Sequence, residues 1–275
     1  MPMLNVDGSS LYYTVKGEGV PIVFIHPPVL TCMNFEYQIE ELSQKFKVIA
    51  FDIRGHGRSQ YSKQPITYSL IAEDIRRLLD HLKVEKAFMC GYSTGSSVAL
   101  EFLLTYVERT LGGILIGGMS EVRDGYLKNK ISLGVKLAKA GAVSFLALSI
   151  SWGNSNTHKL FRKMFKEARK GNAENFEQYY RYSLHYNCTN QLRDIQLPVL
   201  LIYGKKDKTF FDHAKLLHEK LPCNELKFID NVKHQIPTKA AKDLNEMIKQ
   251  FVFIHTEMNR EEIFSLPVKE LMSQE

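Results

Sequence analysis

The sequence predicts an α/β fold: a mostly parallel central sheet flanked by helices, with a block of helices inserted late in the chain. Three observations carry that prediction. Short continuous apolar runs recur, each of the kind buried on both faces of a parallel sheet. Helical patterns of roughly 10–15 residues separate them, the alternation expected of such a sheet. Residues 121–193 then break the alternation, with helical stretches and no convincing strand.

Each element has its own justification. Leu11-Tyr12-Tyr13-Thr14-Val15 is β-branched and aromatic and runs into the turn Gly17-Glu18-Gly19, which predicts a strand. Pro21–Ile25 and Lys47–Phe51 are buried runs; between them Phe35 to Phe46 carries Ile39, Leu42 and Phe46 at helical spacing. Tyr68 to Leu82 sets Leu70, Ile71, Ile75, Leu78, Leu79 and Leu82 in an amphipathic helix pattern. Ala87–Cys90 is the next strand, Val98 to Val107 the next helix and Leu111–Ile116 the strand after it. The alternation resumes with Val199–Tyr203, a helix around Phe211–Leu221, the short strand Leu226–Ile229 and a helix over Ala240–Ile254. Inside the insertion, Ser132–Ala140, Lys159–Lys170 and Phe176–Tyr186 read as helices. The chain thus divides into a first part of the core at 1–120, a helical cap at 121–193 and a second part of the core at 194–275. The tail from Thr256 carries Ile263, Phe264, Leu266, Val268 and Leu271, a set able to dock on the core or on a partner.

Composition bounds the function. With 275 residues, 44% hydrophobic and 24% charged, the chain is ordinary globular material, which excludes disorder and a fibrous repeat. No apolar run reaches the ~18 residues of a membrane span, and the N-terminus lacks the basic region and apolar core of a signal peptide. No membrane partner is expected. Cys32, Cys90, Cys188 and Cys223 lie far apart with no CxxC pair, so reduced thiols in the cytoplasm are expected rather than a disulfide framework or a metal site. The net charge of +6 is uneven: residues 121–193 hold 13 Lys and Arg against 5 Asp and Glu, a surplus of 8 that leaves the remainder at −2. No nucleic-acid module accompanies the surplus, so it reads as a solvated surface, with attraction of anionic substrates as the competing reading.

The chemistry is concentrated at Gly91-Tyr92-Ser93-Thr94-Gly95. A buried strand ends just before this G-x-S-x-G stretch and a helix begins after it, so a sharp turn lifts the serine hydroxyl clear of the sheet. The turn also sets Ser93 at a helix N-terminus, where free N–H groups favour a developing oxyanion. A serine needs a base, and the base an orienting acid. The motif's chain order is serine, acid, histidine. Asp207 follows the Val199–Tyr203 strand and His234 follows the next one, which makes them the candidate acid and base; Asp212 and Glu121 are the rival acids.

These features resemble the α/β-hydrolase superfamily over roughly residues 3 to 254. Besides the serine turn, His26-Pro27-Pro28 stands after a strand where the family has His-Gly, and Asp52-Ile53-Arg54-Gly55-His56-Gly57-Arg58-Ser59 matches its D-x-R-G-x-G-x-S loop. The resemblance implies an α/β-hydrolase fold with an inserted helical cap, Ser93 as nucleophile, Asp207 as acid, His234 as base and the Thr94 N–H as one oxyanion donor. It also implies a structural role for the Asp52–Ser59 loop, with Asp52 and Arg54 pairing or capping. A serine at the turn argues against the branches that use aspartate there. Three positions depart from the pattern: Lys233 and Ser96 replace common glycines, and Pro28 stands where the second oxyanion donor is usually a backbone N–H, which proline lacks.

The function expected is a cofactor-free serine hydrolase acting on a small to medium carboxylic ester, with no metal and no nucleic-acid partner. Leu146, Leu148, Ile150 and Trp152 of the cap would face that substrate, together with Tyr179, Tyr180, Tyr182 and Tyr186. Two alternatives share the site: a slow-turnover ligand sensor that signals through a partner, and perhydrolysis or lyase chemistry on the same three residues.

Overall fold

The structure, a computed structural model, describes residues 2–256; the tail residues Ile263, Phe264, Leu266, Val268 and Leu271 lie outside them. Strands β1 (Met3–Val6) and β2 (Ser9–Lys16) form a hairpin, followed by β3 (Pro21–Ile25), α1 (Glu36–Leu42), β4 (Lys47–Phe51) and α2 (Tyr68–His81). Next come β5 (Ala87–Tyr92), α3 (Thr94–Thr105) and β6 (Thr110–Ile116). Four helices intervene, α4 (Gly125–Lys139), α5 (Val143–Asn154), α6 (His158–Ala168) and α7 (Ala173–His185). The described residues close with β7 (Val199–Gly204), α8 (Phe211–Lys220), β8 (Asn224–Ile229), α9 (Ile236–Lys239) and α10 (Ala241–Ile254).

The eight strands form one sheet in the order β1-β2-β4-β3-β5-β6-β7-β8. β2 runs antiparallel to both its neighbours and every other pairing is parallel. Alternate residues of a strand face opposite sides. Val23 and Ile25 join a core with α2, α3 and α8, while Ile22 and Phe24 join a second core with α1 and α10. Both sets are fully buried. Each such side chain contributes about 1.5–3 kcal/mol, which is why the central strands read as unbroken apolar runs.

Two elements escaped the sequence reading for clear reasons. β1 escaped notice because it is short and half exposed; its signal is Asp7-Gly8, whose φ values of 48° and 79° turn the hairpin with Val6 opposite Ser9. α5 escaped notice because it holds no charged residue, so no polar face marks its period. α3 begins at Thr94 rather than Val98, and α1 stops at Leu42 rather than Phe46. A third apolar cluster joins Val29, from the loop after β3, to Ala138, Leu146, Ala147, Ala168 and Phe176 of the inserted helices.

Candidate active site

The parallel register brings the C-terminal ends of the strands together: Ile25 of β3 and Leu115 of β6 flank Gly91 of β5, and Ile116 pairs with Ile202 of β7. Ligand sites of open α/β sheets lie at this edge. Ser93 sits there at φ 54°, ψ −123°, a conformation costing a non-glycine residue about 1–3 kcal/mol. The strand–helix junction holds it in place. The Ser93 N–H donates to the Ile116 carbonyl at 2.8 Å, and its carbonyl accepts from Ser96 N–H at 2.9 Å. A Cβ on Gly91 would lie 2.3 Å from the Gly95 carbonyl oxygen, and one on Gly95 2.2 Å from that of Ile25. Only glycine lets β3, β5 and α3 approach so closely.

Asp207 follows β7 and His234 follows β8, and both point at the serine. His234 Nδ1 lies 2.8 Å from Asp207 Oδ2, and His234 Nε2 lies 2.9 Å from Ser93 Oγ. A carboxylate can only accept, so Nδ1 carries the proton and the bare Nε2 accepts from the serine hydroxyl. The imidazole is stacked on Phe210 at 4.2 Å and flanked by Tyr92 at 5.3 Å. A Cβ at Gly117 would come within 2.7 Å of the His234 ring, so that position also requires glycine. The rival acids lie elsewhere. Glu121 pairs with Arg123 and Asn187, and Asp212 is exposed in a separate cleft with Arg123, Asp124 and His213.

The loops beneath are tied by buried polar contacts. Ile53 N–H donates to His26 Nε2 at 2.9 Å, which fixes the His26 proton on Nδ1, where it bonds the Pro27 carbonyl. Burial pushes the His26 pKa well below its ordinary value and that of His56 down to about 4, so both rings are held neutral. Asp52 caps the Cys32 and Arg58 backbone N–H groups, while Arg54 forms a fully buried two-pronged pair with Asp74. Asp52 thus caps and Arg54 pairs, the structural roles expected of this loop, and each has a different partner brought in by the tertiary fold.

The loop expected to hold the second oxyanion donor is unusual. A turn covers Pro28 and Val29, and Val29 adopts φ 71°, rare for a β-branched residue. The fully buried Val29 side chain is held among the inserted helices, which fixes that conformation. Pro28 lines the cavity beside Ser93 and Thr94. Two side chains of the same loop that could donate in place of a backbone N–H, Thr31 and Asn34, lie outside the cavity lining, and Thr31 caps the Met33 N–H. Thr94, first residue of α3, has an N–H with no acceptor inside its own helix.

The cavity over Ser93 and His234 measures about 360 Å³ and lies between the sheet edge and the inserted helices. Its walls are apolar: Leu30, Met119, Leu127, Ile131, Leu146 and Ile150 among them, with Tyr180. Ser149, Asn154 and Gln235 supply polar atoms, and Lys130 is the only charged lining group among the described residues. Sequence reasoning missed the α4 residues, since nothing in their spacing says which face turns to the serine. It also misassigned others. Leu148 and Trp152 are exposed and outside the lining; Tyr182 and Tyr186 pack on Tyr68; Tyr179 is buried with its hydroxyl on the His26 carbonyl. Among the described residues no cluster of His, Cys, Asp and Glu could hold a metal ion.

Fold and site together define a hydrolase-type α/β architecture. A family model described as the alpha/beta hydrolase fold matches residues 20–237, and the chain belongs to that family. It is 26% identical over 254 residues to the AB hydrolase superfamily protein YisY of Bacillus subtilis, covering 88% of this chain and 95% of that one. Among solved structures it resembles a carboxylesterase of Nitrososphaera gargenis, with 23% identity, TM-score 0.79, and 93% and 99% of the two chains covered. It is also similar to an esterase of Exiguobacterium antarcticum, with 23% identity, TM-score 0.81, and 90% and 97% covered.

Proposed function

We propose that the protein is a cofactor-independent serine hydrolase of carboxylic esters, working through an acyl-enzyme on Ser93. The observation that carries this reading is the unbroken hydrogen-bonded chain Asp207–His234–Ser93 at the floor of an apolar cavity. His234 takes the serine proton as Oγ attacks the ester carbonyl, then gives it to the departing alkoxide; Asp207 stabilises the imidazolium. The Thr94 N–H receives the oxyanion. Water, activated by His234, then releases the acid. The cavity accepts an apolar acyl or alcohol group of modest size, in keeping with the esterases among its structural relatives.

Pro28 favours a second reading at the same site, a slow-turnover ligand sensor, because a hole short of one donor hydrolyses slowly. One experiment separates the two. Labelling with a fluorophosphonate, mapped to the modified serine, is run beside turnover of p-nitrophenyl esters. We expect labelling at Ser93, and Ser93→Ala lowering kcat by on the order of 10⁴–10⁶ with little loss of stability. Labelling at another serine, or full activity in the variant, would sink the assignment. Labelling at Ser93 with negligible ester turnover selects the sensor.

A further inference from the structure

Exposed apolar side chains concentrate on the two helices that cover the cavity. Tyr126, Leu133, Phe145, Leu148 and Trp152 are 47–68% exposed and make up half of the exposed large apolar side chains among the described residues. All lie on α4 and α5. Phe145, Leu148 and Trp152 follow one another at i, i+3 and i+7, a single stripe along α5. The stripe runs on through Trp152 to Phe161 of α6 at 5.3 Å, which stacks on Phe165.

The charges around this stripe have one sign. From Gly125 to Ala168 the sequence holds a single acid, Glu167, which is buried and paired with Arg58 and Lys170. Of the 13 cations in residues 121–193, 5 form ion pairs: Arg123, Lys163, Lys170, Arg181 and Arg193. The other 8 make none among the described residues. Lys128, Lys130, Lys136 and Lys139 lie on α4; Lys159, Arg162 and Lys166 lie on α6, capped by Arg169. α5 packs against both of these helices. An uncharged apolar ridge is thus set between two cationic helices.

We propose that this face docks on an anionic lipid bilayer. Aromatic and aliphatic side chains enter the headgroup boundary and the flanking cations meet lipid phosphates and carboxylates, the pattern of a peripheral membrane surface. No described helix is long and apolar enough to cross a membrane, so the contact is a surface one. The expectation of no membrane partner considered only spanning segments, which such a contact does not need. The cavity opens on the same face. Lys130, Leu133, Phe145 and Ser149 are exposed and also line it. Granted the ester hydrolase reading above, the substrate class is a lipophilic ester drawn from the bilayer, its apolar part entering between α4 and α5.

The test needs no turnover, so its failure and that of the hydrolase reading are distinguishable. The full chain is sedimented with vesicles of phosphatidylcholine, with and without 30% phosphatidylserine. We expect binding to the anionic vesicles only, falling as salt rises from 0.05 to 0.5 M. The pair Leu148→Ser and Trp152→Ser should weaken binding at least tenfold. The triple change Lys159→Glu, Arg162→Glu and Lys166→Glu should abolish it, at roughly fivefold or more per cation. Neither set touches the cavity lining, so fluorophosphonate labelling should be retained in both and reports folding. Equal binding to neutral vesicles, no vesicle binding by the wild type, or unchanged binding in the charge-reversed variant overturns the proposal. So does a dimer of the wild type that L148S/W152S dissolves, which would make the ridge an interface between copies.

Discussion

Replacing Pro28 by glycine tests the reading of the oxyanion site most sharply. The substitution restores the backbone N–H that proline lacks at a position lining the cavity beside Ser93 and Thr94. A single oxyanion donor is worth about 10²–10³ in kcat, or about 2.7–4 kcal/mol. Opposing terms act on stability instead. Freeing the unfolded chain costs about 1 kcal/mol, and losing the buried pyrrolidine ring about 1–2 kcal/mol. A domain stable by about 5–15 kcal/mol survives both. Val29, fixed at φ 71° by its packing on the inserted helices, keeps the turn in place. We predict a rise in kcat of tenfold or more at saturating ester. The gain should be larger for an alkyl ester than for a p-nitrophenyl ester, whose leaving group depends less on the hole. Steady-state kinetics on both substrates, with thermal melting as the control, decide it. A flat or lower kcat in a folded variant refutes the missing donor. Thr94→Val then asks whether the neighbouring hydroxyl fills that role.

Three further outcomes are expected. Asp207→Asn and His234→Ala should each lower kcat by several orders of magnitude, whereas Asp212→Asn and Glu121→Gln, which face away from His234, leave it within about twofold; a damaging Glu121→Gln would move the acid to the end of β6. Ile150→Phe and Leu146→Phe fill the cavity and should shift the preferred acyl chain to shorter lengths in a p-nitrophenyl ester series, while Trp152→Ala leaves it unchanged; an unmoved preference in both lining variants would count against substrate binding there. Acid should destabilise the fold through His56, whose pKa falls from 6.5 to about 4 on burial. The neutral ring's stabilisation is complete above pH 6.5 and lost as pH falls toward 4, about 2–3 kcal/mol by pH 4.5, so urea midpoints at pH 7.5 and 4.5 should differ less in His56→Gln than in wild type.

The sequence by itself determined the features that depend on near neighbours. The apolar runs at Pro21–Ile25, Lys47–Phe51 and Val199–Gly204 are strands because only a doubly covered sheet tolerates such runs. Glycines two residues either side of Ser93 announced a turn in which backbones nearly touch, and the lack of room for a Cβ at Gly91 or Gly95 is its physical content. The positions of Asp207 and His234 after successive strands were legible for the same reason. What the tertiary structure alone decided is which of these segments meet. The Asp207–His234–Ser93 contacts span 27 and 141 residues and depend on parallel register. The partner of Arg54 is Asp74, a choice no local spacing encodes. The inserted helices were the least legible part. α5 is uncharged all round, with its few polar residues small and scattered, so its pattern gave neither its existence nor its faces. Only packing against α4 and α6 turns Leu146 and Ile150 toward the serine and leaves Leu148 and Trp152 outside. A helix's hydrophobic period reveals a face when one side is charged and meets water while the other meets a core; where no side is charged, the neighbours decide.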